Sequence, residues 1–137
     1  MVGKIARFMR EKDKMAVWLN IELLKVRIGY ARIGMIIRED MLNAVDVCQG
    51  GAIFSFADFA FAVASNSHGK IALAVSANIN FTNPAFAGDR LIAEAEELSR
   101  TKRTGSYQIK VTREGDQKLI ALFNGNVFVK EESVKVE

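Results

Sequence analysis

Asp58 is the only charged residue between Gly50 and His68, in the segment GGAIFSFADFAFAVASNSH. A carboxylate in such apolar surroundings is costly to bury without a partner, and acids in such settings are candidates for catalysis. Gly50 and Gly51 open the same segment. If the segment is a helix, its first backbone N–H groups have no carbonyl partner and can point at an anion or a polarised carbonyl oxygen. Glycine there also lets a ligand approach the backbone closely. One carboxylate and one set of N–H donors suit the hydrolysis of a thioester, because a thiol of pKa about 8.5 departs as thiolate with little help from a general acid. Asp58 would activate water or attack the carbonyl itself, while the helix start stabilises the oxyanion. The bland alternative is an Asp58 that points out through a gap in a sheet or pairs with an arginine. Eight residues of helical rise also separate Gly50 from Asp58 by roughly 12 Å. Facing subunits, or a non-helical first turn, would have to bring donor and carboxylate nearer.

The other reactive side chains are less well placed. His68, the only histidine, follows Asp58 by ten residues, roughly 15 Å along a helix, so a His–Asp dyad within one chain is not expected; it reads as a residue meeting the helix dipole. Cys48 has no local histidine to activate it and reads as a small packing residue. Arg100, Lys102, Arg103 and Thr104 gather before Gly105, with Arg90 at the start of the same strand, and could hold phosphates. Phe54 and Phe61 fall near the Asp58 side of the helix and are candidates to line an acyl pocket, whereas Phe59 turns towards the core.

These groups need elements to position them. From Val2 to Trp18, apolar residues recur at helical spacing among charges, predicting one amphipathic helix whose role is packing. Two strands joined by a turn at Gly29 fit the stretch to Arg38. The segment from Gly50 to His68 is apolar on every side, which predicts a buried helix, with Gly69 as its stop signal. Four strands follow, roughly Ile71 to Phe81, Arg90 to Thr101, Ser106 to Arg113 and Lys118 to Val129. In the first of them Val75, Ala77, Ile79 and Phe81 alternate with Ser76, Asn78 and Asn80, so its second face is polar but uncharged and suits a subunit contact or a pocket wall. The pattern predicts a single α+β domain over residues 1–137, one long helix lying against an antiparallel sheet that curls around it.

Composition narrows the class. Nineteen basic and sixteen acidic residues give a formal net charge of +3, too small and too evenly spread to argue for nucleic acid. Half the residues are hydrophobic, enough for a core with apolar surface left over for an oligomer. One cysteine excludes an internal disulfide and a multi-cysteine metal site, and no apolar run approaches a membrane span, so a cytoplasmic protein is expected.

The segment from Asn43 to Ser67, NAVDVCQGGAIFSFADFAFAVASNS, together with FTNPAFAGD and RTGSY, resembles the PaaI-type thioesterases of the hotdog superfamily. The likeness covers nearly the whole chain after Trp18. It implies a helix wrapped by a curved sheet of about six strands, dimers or tetramers with active sites between subunits, an acyl-CoA substrate and no separate cofactor or metal. By motif position, Asp58 resembles the catalytic aspartate, Gly50 the glycine whose N–H polarises the thioester carbonyl, with Gly51 beside it, and Asn43 an asparagine of the preceding loop. The turn from Lys102 to Thr104 is implied to contact CoA. Gln49 departs from the pattern, standing where the family usually has His, and cannot titrate. Hydrolysis of medium-chain or aromatic acyl-CoA is therefore the leading expectation. A non-catalytic acyl-CoA binder is the alternative, while a hydratase would need a better-placed histidine.

Overall fold

The computed structural model describes residues 1–136. The elements are α1 (Val2–Lys12), α2 (Lys14–Trp18), β1 (Glu22–Arg27), β2 (Tyr30–Ile36), a 3-10 turn at Glu39–Met41, α3 (Gly50–Asn66), β3 (Lys70–Phe81), β4 (Arg90–Arg100), β5 (Thr104–Arg113) and β6 (Leu119–Ser133). The expected N-terminal helix is thus two. Asp13 is extended and its carboxylate accepts from Ala16 N at 3.0 Å, so it ends α1 and caps α2. An N-cap residue lying within an amphipathic pattern is what the periodicity alone overlooked.

The six strands form one antiparallel sheet in the order β1-β2-β4-β5-β6-β3. A two-residue hairpin joins β1 to β2, with Gly29 at φ 75°. Along β2, β4, β5 and β6 every second side chain faces inward, and Ile33, Ala93, Ile109 and Phe123 among them are fully buried. The sheet curls around α3, which packs on β2 to β6, as its apolar circumference predicts. Gly125 of β6 leaves room for Phe61, whose ring would lie 2.6 Å from a Cβ at that position. β6 runs four residues past its expected end, because Lys70 pairs with Ser133.

The sheet ends on β3, which pairs with β6 on one side and with nothing among the described residues on the other. Its Leu73, Val75 and Phe81 are each more than half exposed. The expected alternation holds from Ser76 to Phe81, with Ala77, Ile79 and Phe81 opposite Gly125, Phe123 and Ala121. It fails at Val75, where an irregularity between Ala74 and Ser76 takes the side chain out of register.

Candidate active site

The start of α3 is held by hydrogen bonds from three directions. Gln49 N donates to Met41 O at 2.8 Å, and Cys48 N to Ala85 O at 2.8 Å. Asn43 Oδ1 accepts from Val45 N and Val47 N at 3.0 and 3.2 Å, which folds the preceding loop back on itself. The turn carrying Ala85 is fixed in its own right: Asp89 Oδ2 accepts from Phe86 N at 2.9 Å and pairs with Arg113 at 3.2 Å. The Ala-Gly-Asp motif is therefore a brace for the loop that delivers the glycines.

In that frame the N–H groups of Gly50 and Gly51 have no acceptor among the described residues, whereas Ala52 N already bonds Gln49 O at 3.0 Å. Two donors stay free at the positive end of a 17-residue helix. A Cβ on Gly50 would stand 3.1 Å from the Phe81 ring, and one on Gly51 would stand 2.6 Å from Gln49 Oε1. The exposed Gln49 side chain therefore lies across the first turn of the helix without capping it.

Asp58 lies two turns on, half-buried, with no hydrogen-bond or ion-pair partner among the described residues. No buried polar side-chain atom lacks a partner there, so the unpaired Asp58 oxygens keep solvent contact. Its pKa is raised above the ordinary carboxylate value, first by burial and second by the negative charge of Asp13. A carboxylate displaced towards neutral pH is a better base for water than a free aspartate. The arginine-paired alternative does not hold.

The helix face around Asp58 has two flanks. On one, Phe54 packs against Phe123 with the rings tilted by 59° and centroids 5.2 Å apart, and Phe61 is 1% exposed between Phe123 and Tyr107. Phe61 is thus core between helix and sheet, out of reach of any ligand on the chain's surface; Phe54 is partly buried against the same core. On the other flank Gly51, Ser55 and Asp58 follow at helical spacing beneath α2. A cleft of about 400 Å³ opens there between Gln49, Gly51 and Ser55 on one side and Met15, Trp18 and Leu19 on the other. Sequence reasoning missed Trp18, Ser55 and Asp13. The i, i+4, i+7 spacing of Gly51, Ser55 and Asp58 was a usable signal for Ser55, but nothing local announces the approach of α2.

The cationic residues divide into two groups. Lys102 and Arg103 join Lys70 and Lys130 around a cleft of about 380 Å³, with Arg103 paired to Glu131 at 2.7 Å. Thr104 Oγ1 is engaged with Thr101 Oγ1 at 2.7 Å within the turn. Arg90 lies at the other end of β4, roughly 33 Å away at strand rise, and pairs with Glu22 and Glu114. It does not share a phosphate grip with Lys102 and Arg103 within the chain. Arg100 donates to Ser65 O and Tyr107 Oη, each at 2.9 Å, and ties β4 and β5 to the end of α3. His68 joins that tie through Glu97 at 2.7 Å. Cys48 is buried, and burial pushes its thiol up to about 11, which leaves it unsuited as a nucleophile.

The thioesterase superfamily model matches residues 46–120, from the loop before α3 into β6. The chain belongs to the thioesterase superfamily. It is 42% identical over 120 residues to the acyl-coenzyme A thioesterase PaaI of Escherichia coli, covering 88% of this chain and 85% of that protein. A putative esterase of Archaeoglobus fulgidus is likewise 42% identical over 128 residues, covering 93% of this chain and 82% of the relative. The structure of the E. coli PaaI protein from the phenylacetic acid degradation operon superposes with a TM-score of 0.95 at 37% identity, covering 98% of this chain and 96% of that one. The protein is a PaaI-like thioester hydrolase with the hotdog fold, as the resemblance of its motifs implies. No helix is long and apolar enough to cross a membrane among the described residues.

Proposed function

We propose that this thioesterase hydrolyses acyl-CoA carrying medium-chain or aromatic acyl groups, and that Asp58 performs the hydrolysis. The observation that carries the proposal is the unpaired, half-buried Asp58 carboxylate, raised in pKa, on the helix whose first two N–H groups are free. The thioester carbonyl oxygen accepts from the α3 N-terminus, and the developing oxyanion is stabilised there. Either Asp58 takes a proton from the water that attacks the carbonyl carbon, or it attacks that carbon itself and water then cleaves the resulting anhydride to free the acid and restore the carboxylate; in both cases the C–S bond breaks and CoA leaves as thiolate. Gln49 orients the carbonyl or the water by hydrogen bonding, a role that needs no titration. The unused Nδ2 hydrogens of Asn43 are available for the same purpose.

The 12 Å between Gly50 and Asp58 calls for two subunits. A two-fold axis pairing β3 with its copy is isologous and antiparallel. Such pairing sets the Lys70 end of one β3 beside the Phe81 end of the other. Phe81 lines a cleft together with Gly50, and Lys70 belongs to the basic cleft. Within one chain that cleft lies at the far end of α3, roughly 25 Å from Gly50; across the dimer it comes next to the partner's glycines. CoA phosphates at Lys70, Lys102 and Arg103 would then place the thioester at the partner's helix start, with the two α3 helices side by side.

The test is a spectrophotometric measurement of thiol release across acetyl-, hexanoyl-, octanoyl-, benzoyl- and phenylacetyl-CoA. Turnover highest for the longer or aromatic groups is expected. Saturable binding with no thiol release on any of them would replace hydrolysis with the non-catalytic binder.

A further inference from the structure

We propose that the cleft between α2 and the first turns of α3 holds the acyl group, with Trp18 and Met15 as its specificity-determining wall. The proposal rests on acyl-CoA being the substrate, and it gives the acyl group a place that Phe61 does not provide.

Three observations converge on the cleft. Its floor is the first half of the candidate catalytic stripe, since Gln49, Gly51 and Ser55 line it and Asp58 is the next residue of that stripe after Ser55. An acyl chain leaving a carbonyl carbon at Asp58 meets Ser55 first and then runs towards Gln49. The opposite wall is mostly apolar: Met15 and Trp18 from α2, Leu19 at its end, and Met41 and Leu42 from the turn before α3, with Asp40 as its one charged member. Trp18 is 50% exposed and Met15 51%. Those are large apolar surfaces to leave beside a polar site, and they are worth covering with hydrocarbon.

The volume sets the class of occupant. Pockets for whole drug-sized ligands span roughly 300–1,000 Å³, so about 400 Å³, near the low end of that range, is room enough for an acyl group of moderate size. Trp18 is held in place by Arg38, whose guanidinium lies 4.8 Å from the ring centroid. It thus presents a fixed flat wall to a straight chain or an aromatic ring, while Met15 adapts to what remains.

Trp18 is the only tryptophan in the chain, so its emission reports the cleft directly. The wild-type protein is titrated with non-hydrolysable thioethers, S-ethyl-CoA and S-octyl-CoA, and with CoA alone. S-octyl-CoA should shift the emission to the blue and S-ethyl-CoA should do so weakly, with affinity rising by up to roughly fourfold per methylene; CoA alone should leave the wavelength unchanged. In turnover, Trp18→Ala and Met15→Ala should each lower the ratio of octanoyl- to acetyl-CoA kcat/KM, by roughly tenfold for Trp18→Ala. A shift that is the same for all three ligands, or an unchanged ratio in folded variants, overturns the proposal. Emission that turns blue on raising protein concentration without ligand also overturns it, because a subunit then fills the cleft. If Trp18→Ala fails to fold, the wild-type titration and Met15→Ala still decide. Absence of turnover on every acyl-CoA would refute hydrolysis, whereas a chain-length-dependent Trp18 shift would still support the cleft.

Discussion

Replacing Asp58 with Asn should remove the activity and make the fold more stable. The substitution keeps the shape of the side chain and removes its charge. No hydrogen bond or ion pair is broken within the described residues, and the new amide retains the solvent contact of the carboxylate. What disappears is the cost of holding an unpaired charge in a half-buried position beside Asp13. Relief of this kind at a functional residue is worth roughly 1 kcal/mol. For 137 residues an unfolding entropy of about 2.1 cal/mol/K per residue sums to about 0.29 kcal/mol/K, so Tm should rise by about 3–4 °C at pH 8. The gain must depend on pH. Asp58 binds its proton more tightly folded than unfolded, so wild-type stability falls as pH rises from the ordinary value of 3.8 through the raised one. The variant lacks that loss. The Tm difference should therefore be close to zero below pH 3.8 and reach its full size above the folded pKa, while turnover drops by about 10²–10⁴ at neutral pH. Calorimetry across pH together with thiol release measures both. A variant that melts lower than wild type, gains equally at all pH values, or keeps its turnover would refute the reasoning.

Asp13→Asn should move the acid limb of the kcat/KM profile to lower pH, because the second cause of the raised Asp58 pKa is removed while Asn still caps α2; an unmoved limb on the pH–rate profile would contradict this. Gly125→Ala should cost about 2 kcal/mol by overpacking against the Phe61 ring 2.6 Å away, measured by urea unfolding, and Phe61→Leu should recover most of the loss in the double variant. Val75→Lys on the free edge of β3 should give monomers in analytical ultracentrifugation, and those monomers should release little thiol if donor and carboxylate come from different subunits.

The fold was legible in the sequence to the extent that periodicity governs it. The all-round apolar segment could only be a helix enclosed by other elements, and the strand-like stretches after it fell within a few residues of the strands observed. Positions decided across space were not legible. Phe61 lies about 60° from Asp58 around the helix axis, which makes it look like a neighbour of the site. A sheet that wraps most of a helix buries residues even that close to an open face. Arg90 and Lys102 adjoin one strand in sequence, but an 11-residue strand sets its ends far apart. Trp18 faces Gly51 and Ser55 across a cleft only because α2 turns back over α3, and the capping carboxylate that starts that turn was hidden within an amphipathic pattern. The Asn43 to Asp58 motif, by contrast, carried the candidate chemistry because one loop and one helix hold all of it.

The bare edge of β3 also bears on how the protein comes into being. Natural sheet edges are commonly guarded by charges or proline, yet Ile71 to Phe81 contains neither. A newly folded chain therefore presents a 12-residue template to any other extended chain, of which the copy in the proposed dimer is only one. Recovery from denaturant should be a race between orderly association and precipitation, with an intermediate protein concentration giving the best yield, too dilute a solution leaving edges open and too concentrated a one joining them at random.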